Sequence, residues 1–551
     1  MFKALTGVAA LAAILWSGMA SAYPYVYVPE AGAGKVTVLD AQTNTIVRTI
    51  PNVSNALSVA VNPDGSRAYI SNGTAGTVTV FDTTLISNTN QNPIIGHYDG
   101  LGNVISLAVG PKGKELYVAD AAKDQAIGID MAASTYQGPY AAASSGLTAM
   151  ALAPSGRALA LASGSGSSFT VRIYDLTNGS YKDVTLSSQP ESLLFSSDGN
   201  KLWIATAQGF DTYDLGNGSQ STTAVSGGVG AMAYSPRAGV LYVASLSNPD
   251  IYAYPAAAGS PTTITLSATP TGLALSPDGT RLYAPRSGGL TVIDTGTDQV
   301  ATSVAFGTSP AAVGNFVGPG DIWADNSTVN TNVGQQLSYH VAGNDYQNRV
   351  LSYDVISQPS RGTLNFTQST GDYTYTPPSS TYSGIQTMVW EAKAGGGTGS
   401  PTAPVSRPIT TTILVHPGMT GFSDQQVDAG TTLGPFSFTL TGSTPFSVNV
   451  TSSNKTVVDP ASAVVSPGCG TTTLSCTLTL TAGNNKGAGS VVTVTATDPS
   501  GLTATQSFRV SINGGTSGGG GGSLPWPVLV VLATLFLMVR TYRRTHGKES
   551  L

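Results

Sequence analysis

The chain has 551 residues, which is too long for one hydrophobic core and predicts several domains in series. Charged residues make up only 10 % of it, against about 25 % in ordinary globular domains, and the abundance of Gly, Ser, Thr and Val is typical of an all-β protein. The formal net charge of −5 gives no basic face for phosphate groups, which excludes nucleic acid from the expected partners.

The first 22 residues have the pattern of a secretory signal peptide. Lys3 precedes an apolar run over residues 4–16, and the small residues 20–22 follow it. We expect cleavage between Ala22 and Tyr23. An uncleaved anchor is the alternative, but the apolar run is short, and export follows from either interpretation.

Repetition is the strongest signal in residues 23–317. A short strand, a turn ending in glycine and a second strand with an aromatic residue recur, and a third strand ends in aspartate: Asp40, Asp82, Asp130, Asp175, Asp214 and Asp294. The period of about 42 residues fits one four-stranded blade and predicts a seven-bladed β-propeller. We interpret the recurring aromatic and aspartate residues as core packing and turn capping, not as a ligand-binding pattern.

The two ends of the repeat region predict how the propeller closes. Residues 25–28 match the strand that follows a turn but lack the strand before it, whereas residues 310–316 have the pattern of that missing strand. We therefore expect residues 310–316 to pair with residues 24–28 in a shared blade, which leaves only short strand edges.

The residue motifs of the last complete repeat resemble those of a known family. Pro277-Asp278-Gly279, Arg281-Leu282-Tyr283 and Thr291-Val292-Ile293-Asp294 resemble the YVTN propellers of surface-layer and exported proteins. The resemblance covers about 295 residues and implies the propeller fold, with little information about activity.

Residues 321–416 resemble the cadherin-like β-sandwich of bacterial adhesins through Gly371-Asp372-Tyr373-Thr374-Tyr375 and Tyr382-Ser383-Gly384. Clustered aspartates hold Ca²⁺ between modules of that family. Here Asn344-Asp345-Tyr346-Gln347 and Trp390-Glu391-Ala392-Lys393 depart from the acidic pattern. We therefore predict no cofactor and keep Ca²⁺ as an open alternative.

Residues 418–513 resemble the Ig-like repeats of bacterial surface proteins through Ser423-Asp424-Gln425 and Asp498-Pro499-Ser500-Gly501, which predicts a second β-sandwich. The only cysteines, Cys469 and Cys476, lie in this stretch. Because an exported chain meets an oxidising compartment, we predict a disulfide across a hairpin; two free thiols are the alternative.

The C-terminal tail predicts a membrane tether. A Gly-rich linker over residues 514–523 leads to an apolar helix over residues 524–539, and the basic cytoplasmic tail 540–551 begins with Arg540, Arg543 and Arg544. Sixteen residues span about 24 Å, short of the roughly 30 Å hydrocarbon core, so the single transmembrane helix is marginal. The tail resembles the GlyGly-CTERM sorting signal of Gram-negative surface proteins, which implies processing by a rhomboid-type protease near Gly521, Gly522 and Ser523. A permanent anchor is the alternative.

The residues that could carry chemistry are few. Only His97 of the four histidines lies in the propeller, and no nucleophile elbow or phosphate-binding loop is present in the sequence. We predict no catalytic residue and favour a cell-surface binding, adhesion or scaffold module with a protein or glycan ligand. The alternative is an exported propeller enzyme, lactonase-, lyase- or hydrolase-like, with its site in the central channel. The side chains that line the channel discriminate between these functions.

Overall fold

The computed structural model describes residues 24–513, apart from 256–258, 307, 309, 311, 321, 346–348, 395–404 and 472. Strands dominate these residues, whose helical elements are three short 3₁₀ turns at Ala31–Ala33, Thr83–Leu85 and Pro460–Ser462. The all-β prediction is confirmed. No helix in the described ranges is long and apolar enough to cross a membrane. The predicted signal peptide with its expected cleavage site at Ala22 and Tyr23 lies outside them, as does the predicted tail with Gly521, Gly522, Ser523, Arg540, Arg543 and Arg544.

Seven sheets follow one another over residues 25–314, each built from strands that are consecutive in the chain. Sheets one to three contain β1 (Tyr25–Glu30), β2 (Lys35–Asp40) and β3 (Thr45–Pro51); β4 (Ser58–Val61), β5 (Arg67–Ser71), β6 (Val78–Asp82) and β7 (Ile94–Tyr98); and β8 (Val104–Val109), β9 (Glu115–Asp120), β10 (Gln125–Asp130) and β11 (Thr135–Ala141). Sheets four and five contain β12 (Leu147–Leu152), β13 (Ala158–Ser165), β14 (Ser168–Asp175) and β15 (Tyr181–Leu186); and β16 (Pro190–Phe195), β17 (Lys201–Thr206), β18 (Gly209–Asp214) and β19 (Gln220–Ala224). Sheets six and seven contain β20 (Val229–Ser235), β21 (Val240–Ser245), β22 (Asp250–Pro255) and β23 (Thr262–Thr265); and β24 (Ala274–Leu275), β25 (Arg281–Arg286), β26 (Gly289–Asp294) and β27 (Gln299–Ala305). A last short strand, β28 (Val313–Gly314), joins the second sheet.

The arrangement is propeller-like, because the first strands of successive sheets lie beside one another around a central cavity. The repeated residues explain why each sheet forms. The turn glycines, such as Gly65 and Gly279, have φ of +70° and +67°, a conformation that favours glycine. The aspartates cap the turns that follow them; Asp294 Oδ1, for example, accepts the backbone N–H groups of Gly296 and Thr297 at 3.0 Å.

The recurring aromatic residues after the turns are buried between sheets, at exposures of 9 % or less: Tyr69, Tyr117, Trp203, Tyr242 and Tyr283. Their interpretation as core residues, and that of the aspartates as turn caps, is confirmed. Burial of these side chains is a main source of stability for such a fold.

The contact between the two ends of this region differs from the predicted one. Val313 and Gly314 pair in parallel with Ser58 and Val59 of the second sheet, not with β1. The antiparallel contact with β1 comes from the next residues: the Tyr27 N–H donates to the Phe316 carbonyl at 2.8 Å, and the Gly318 N–H donates to the Tyr25 carbonyl at 2.7 Å. We call this contact of residues 316–318 with residues 25–27 the seam.

The shift in pairing has a physical reason. Phe316 is fully buried in the same apolar cluster as Tyr25, Tyr27 and Val28, which draws its backbone to β1. Gly314 has φ of +83° and lets the chain bend between its contact with the second sheet and the seam. The expectation that residues 310–316 as a whole pair with residues 24–28 is therefore wrong in register.

Two further groups of sheets follow. The first C-terminal unit contains β29 (Ile322–Trp323), β30 (Ser327–Asn332), β31 (Leu337–His340), β32 (Asn344–Asp345), β33 (Leu351–Ser357), β34 (Thr363–Phe366), β35 (Asp372–Thr376), β36 (Gly384–Ala394) and β37 (Ile409–His416). Its main sheets have the orders β30-β37-β36-β33 and β31-β35-β34. Both contribute to one core, which includes Ile413, Trp390 and Tyr375.

The second C-terminal unit contains β38 (Gly418–Thr420), β39 (Gln425–Val427), β40 (Thr432–Thr441), β41 (Ser447–Ser452), β42 (Val464–Val465), β43 (Ser475–Thr481), β44 (Gly489–Thr497) and β45 (Thr503–Ile512). Its sheets have the orders β38-β40-β43-β42 and β39-β45-β44-β41 and share one core. Cys469 and Cys476 form a disulfide with their Cα atoms 5.3 Å apart, as predicted. Cys476 is part of that core.

Candidate functional site

A cavity of about 710 Å³ lies between the first strands of the propeller-like region. Residues from β4, β8, β12, β16, β20 and β24 line it, together with β28. We call this cavity the channel. Its volume lies in the range of about 300–1,000 Å³ that is typical of small-molecule sites, so it is the candidate site of the chain.

The wall of the channel is mainly apolar, and the sequence shows how the space stays open. Alanine on a first strand lies opposite an aromatic residue on the second strand in four sheets, as in Ala60 opposite Tyr69 and Ala108 opposite Tyr117. The aromatic side chain fills the space between sheets, while the small side chain of alanine leaves the centre free. Of the described residues that line the channel, only Glu191 and Arg407 carry a charge.

The first C-terminal unit covers one end of the channel. Segments 322–326 and 407–410 contribute to the lining. Asn326 Nδ2 donates to the carbonyl of Pro154 at 2.7 Å, and the Thr410 hydroxyl donates to the carbonyl of Ser197 at 2.5 Å. Both acceptors belong to turns that follow a first strand, so the unit closes the turn end of the channel.

Two further contacts fix this unit at the same end. Arg237 and Glu391 form an ion pair of 2.5 Å, in which the carboxylate is only 5 % exposed. The Arg407 guanidinium donates to the carbonyl of Val317, and burial lowers the pKa of Arg407 to about 10. One N–H donor of the buried Arg407 guanidinium is therefore engaged by a backbone carbonyl.

The opposite end of the channel is formed by β-bulges. Register shifts occur near the start of β8, β12, β16 and β20. The extra residues of these bulges all line the channel and are half-buried: Ile105, Thr148, Glu191 and Gly230. A bulge leaves its extra residue unpaired and redirects the side chain, and bulges are frequent next to functional sites. We call these four residues the mouth.

Glu191 is the unusual member of the mouth. No residue in the described part of the chain forms a hydrogen bond or ion pair with its carboxylate. Partial burial raises the pKa of Glu191, because loss of part of its hydration disfavours the charged form. Ser192, the next residue, also lines the channel, and its hydroxyl oxygen is buried with no partner among the described residues.

The two charged residues belong to different ends. Glu191 lies in the mouth, whereas Arg407 belongs to the covering segment that contacts Ser197. Ser197 lies six positions after Glu191, which corresponds to roughly 20 Å at about 3.3 Å per residue. The channel therefore presents one unpaired negative group at the mouth and an apolar wall behind it.

The other residues considered from the sequence lie elsewhere. His97 is on the outer strand β7, where its Nδ1 lies 3.3 Å from the Thr79 hydroxyl. Asp345 binds the Arg349 guanidinium through both carboxylate oxygens, at 2.7 and 2.8 Å, and these oxygens are therefore not free for Ca²⁺. Across the described ranges, no group of three or more His, Cys, Asp or Glu residues is placed to hold a metal ion.

Sequence reasoning missed Glu191, although the repeat contains a signal for it. The corresponding bulge residues of neighbouring repeats are Ile105, Thr148 and Gly230, which are uncharged. A carboxylate therefore stands at a repeat position that uncharged residues occupy in three other repeats. Alignment of the repeats on the first strand, and not on the turn, would have revealed it.

Comparisons with known proteins give no family. No protein-family profile matches the chain, and no curated protein matches it. A functionally unknown protein from Desulfotomaculum acetoxidans DSM 771 has 15 % identity and a TM-score of 0.44, covering 52 % of this chain and 97 % of its own. The dihydro-heme d1 dehydrogenase NirN in complex with DHE has 16 % identity and a TM-score of 0.41; the match covers 71 % of this chain and 75 % of NirN. Kuenenia stuttgartiensis hydrazine synthase has 16 % identity and a TM-score of 0.34; the match covers 52 % of this chain and 84 % of the synthase chain. At these values the likeness carries no argument about function.

Proposed function

We propose that this chain is an exported, membrane-tethered cell-surface protein whose seven-bladed propeller binds a ligand, as a binding, adhesion or scaffold module. In this proposal the two C-terminal units are cadherin-like and Ig-like β-sandwiches that lift the propeller from the membrane. The tail after residue 513 is a linker, a helix and a GlyGly-CTERM-like sorting signal.

The observation that carries the proposal is the channel. It has the volume of a small-molecule site, a mainly apolar wall and a cover at one end. An apolar cavity walled by the strands of successive sheets favours binding, because regular strands need little reorganisation when a ligand enters.

The composition of the wall favours binding over hydrolysis. Hydrolysis of glycosides commonly uses two carboxylates, and metal-assisted hydrolysis uses a cluster of metal ligands. The described lining provides one carboxylate, Glu191, and one arginine that is engaged by a backbone carbonyl.

Surface exposure is tested with an epitope inserted in the exposed loop at residues 88–92. Antibody should label intact cells that produce the full chain as strongly as it labels permeabilised cells. Labelling that requires permeabilisation would contradict the exported part of the proposal.

Binding is tested by retention of the producing cells on a printed glycan array and on a lawn of non-producing cells. Gly230→Phe should abolish retention, since it places a phenyl group at the mouth. A Cβ there meets the flexible Leu246 side chain at 3.3 Å and the Leu246 Cα at 3.7 Å, the latter an ordinary van der Waals contact. Gly96→Phe on the outer strand β7, where a Cβ meets nothing within 4 Å, is the matched control and should retain cells normally. Retention no greater than that of cells without the protein, or equal retention by both variants, would contradict the proposal.

A further inference from the structure

We infer that the channel mouth is the site of a small amphiphilic cation, a molecule with an apolar body and one primary ammonium group. The inference rests on the proposed binding function and names its ligand class.

Charge complementarity at Glu191 is the first argument. Its carboxylate lies half-buried in the mouth and has no partner among the described residues. Partial burial weakens the hydration of a carboxylate, so an opposite charge beside it is favourable. A ligand cation would supply that missing partner.

The neighbouring polar groups favour a cation with N–H donors. The Ser192 hydroxyl oxygen is buried and unpartnered, and it lines the same channel. The Thr148 hydroxyl, also in the mouth, donates to the Ala162 carbonyl at 3.4 Å and retains its own lone pairs. A primary ammonium group has three N–H donors, so besides the Glu191 carboxylate it can use an accepting hydroxyl of the mouth such as that of Thr148.

The wall behind the mouth fits an apolar body. Alanine, leucine, isoleucine and valine dominate it, and Met150 and Met232 add flexible thioether side chains. Methionine adapts its shape to an apolar ligand. The ligand charge is inferred from Glu191 alone, because Arg407 belongs to the covered end of the channel and not to the mouth.

The probe for the test is octylammonium, with octanoate and octanol as probes of equal chain length and different charge. The full chain is embedded in lipid nanodiscs, and binding is measured by equilibrium dialysis. Empty nanodiscs of the same lipid serve as the blank, because partitioning of the probe into lipid is the same with and without protein, and the Glu191→Gln variant is measured in parallel.

Wild-type protein should bind octylammonium at least about tenfold more tightly than E191Q does, since a charge-assisted hydrogen bond is lost. Octanol should bind both proteins equally, and octanoate more weakly than octylammonium. The double variant Thr148→Glu with Glu191→Gln moves the carboxylate to the neighbouring bulge and should restore part of the affinity.

Equal affinity of wild type and E191Q for octylammonium would overturn the inference, as would octanoate binding as tightly as octylammonium. Circular dichroism and protease resistance establish whether each variant folds. If the double variant does not fold, the comparison of wild type with E191Q decides the question. Failure of this test with normal cell retention would refute the ligand class alone, whereas loss of cell retention would refute the proposed function.

Discussion

Phe316→Ala is predicted to open the seam between the two ends of the propeller-like region. Phe316 is fully buried in a cluster with Tyr25 and Tyr27, and its carbonyl accepts the Tyr27 N–H at 2.8 Å. Truncation of a buried phenylalanine to alanine costs about 3–5 kcal/mol. Since about 1.4 kcal/mol corresponds to a factor of ten, the opening equilibrium of the seam should rise by a factor between roughly 10² and 4 × 10³.

Hydrogen exchange measures this change directly. In the full chain, peptides that cover residues 24–30 should exchange faster in the variant, because the Tyr27 amide is released when the seam opens. Phe210→Ala is the matched control: Phe210 is 5 % exposed in β18, far from the seam along the chain. It should destabilise its own sheet without accelerating exchange at Tyr27. Unchanged exchange in F316A, or an equal increase in both variants, would refute the role of Phe316 in closure.

Three further predictions concern the disulfide, Glu191 and the tail. Replacing Cys469 and Cys476 with alanine should lower the stability of the second C-terminal unit by roughly 2–3 kcal/mol, from the entropy of a short loop, as measured by exchange of β43; unchanged exchange would contradict this. Burial raises the pKa of Glu191 in the folded state, so the folded protein is destabilised when Glu191 ionises as the pH rises through that pKa. Glutamine at position 191 cannot ionise. E191Q should therefore melt at a higher temperature than wild type at pH 8 but not at pH 3.5. Processing of the tail should fall within or beside Gly518–Ser523, and mass spectrometry of surface-released protein should find no peptide from Thr545–Leu551; their recovery would favour the permanent anchor.

Local features were predictable from the sequence because they depend on near neighbours in the chain. The turn glycines, the capping aspartates and the pairing of Cys469 with Cys476 each involve residues a few positions apart. The burial of Tyr69 and its counterparts follows from their fixed place in the repeat. Period and spacing carry this information directly.

The register at the seam and the composition of the mouth depend on contacts between distant residues. The last segment of the repeat region matches the pattern of a first strand, but burial of Phe316 moves its pairing toward residues 316–318. The contact of Asn326 with Pro154 joins residues that no repeat relates. The site was therefore not predictable from single repeats, even though Glu191 is visible once the first strands are aligned.

The seam also sets an order of events for the growing chain. Tyr27 obtains its partner carbonyl only from Phe316, almost 290 residues later. The cost of closing such a loop grows only slowly with its length, but closure must wait until the last residues have been made. Until then β1 has one free edge, the kind of edge on which other chains can pair. We expect synthesis and secretion of this chain to depend on protection of that edge, for instance by a holding chaperone, until its far end arrives.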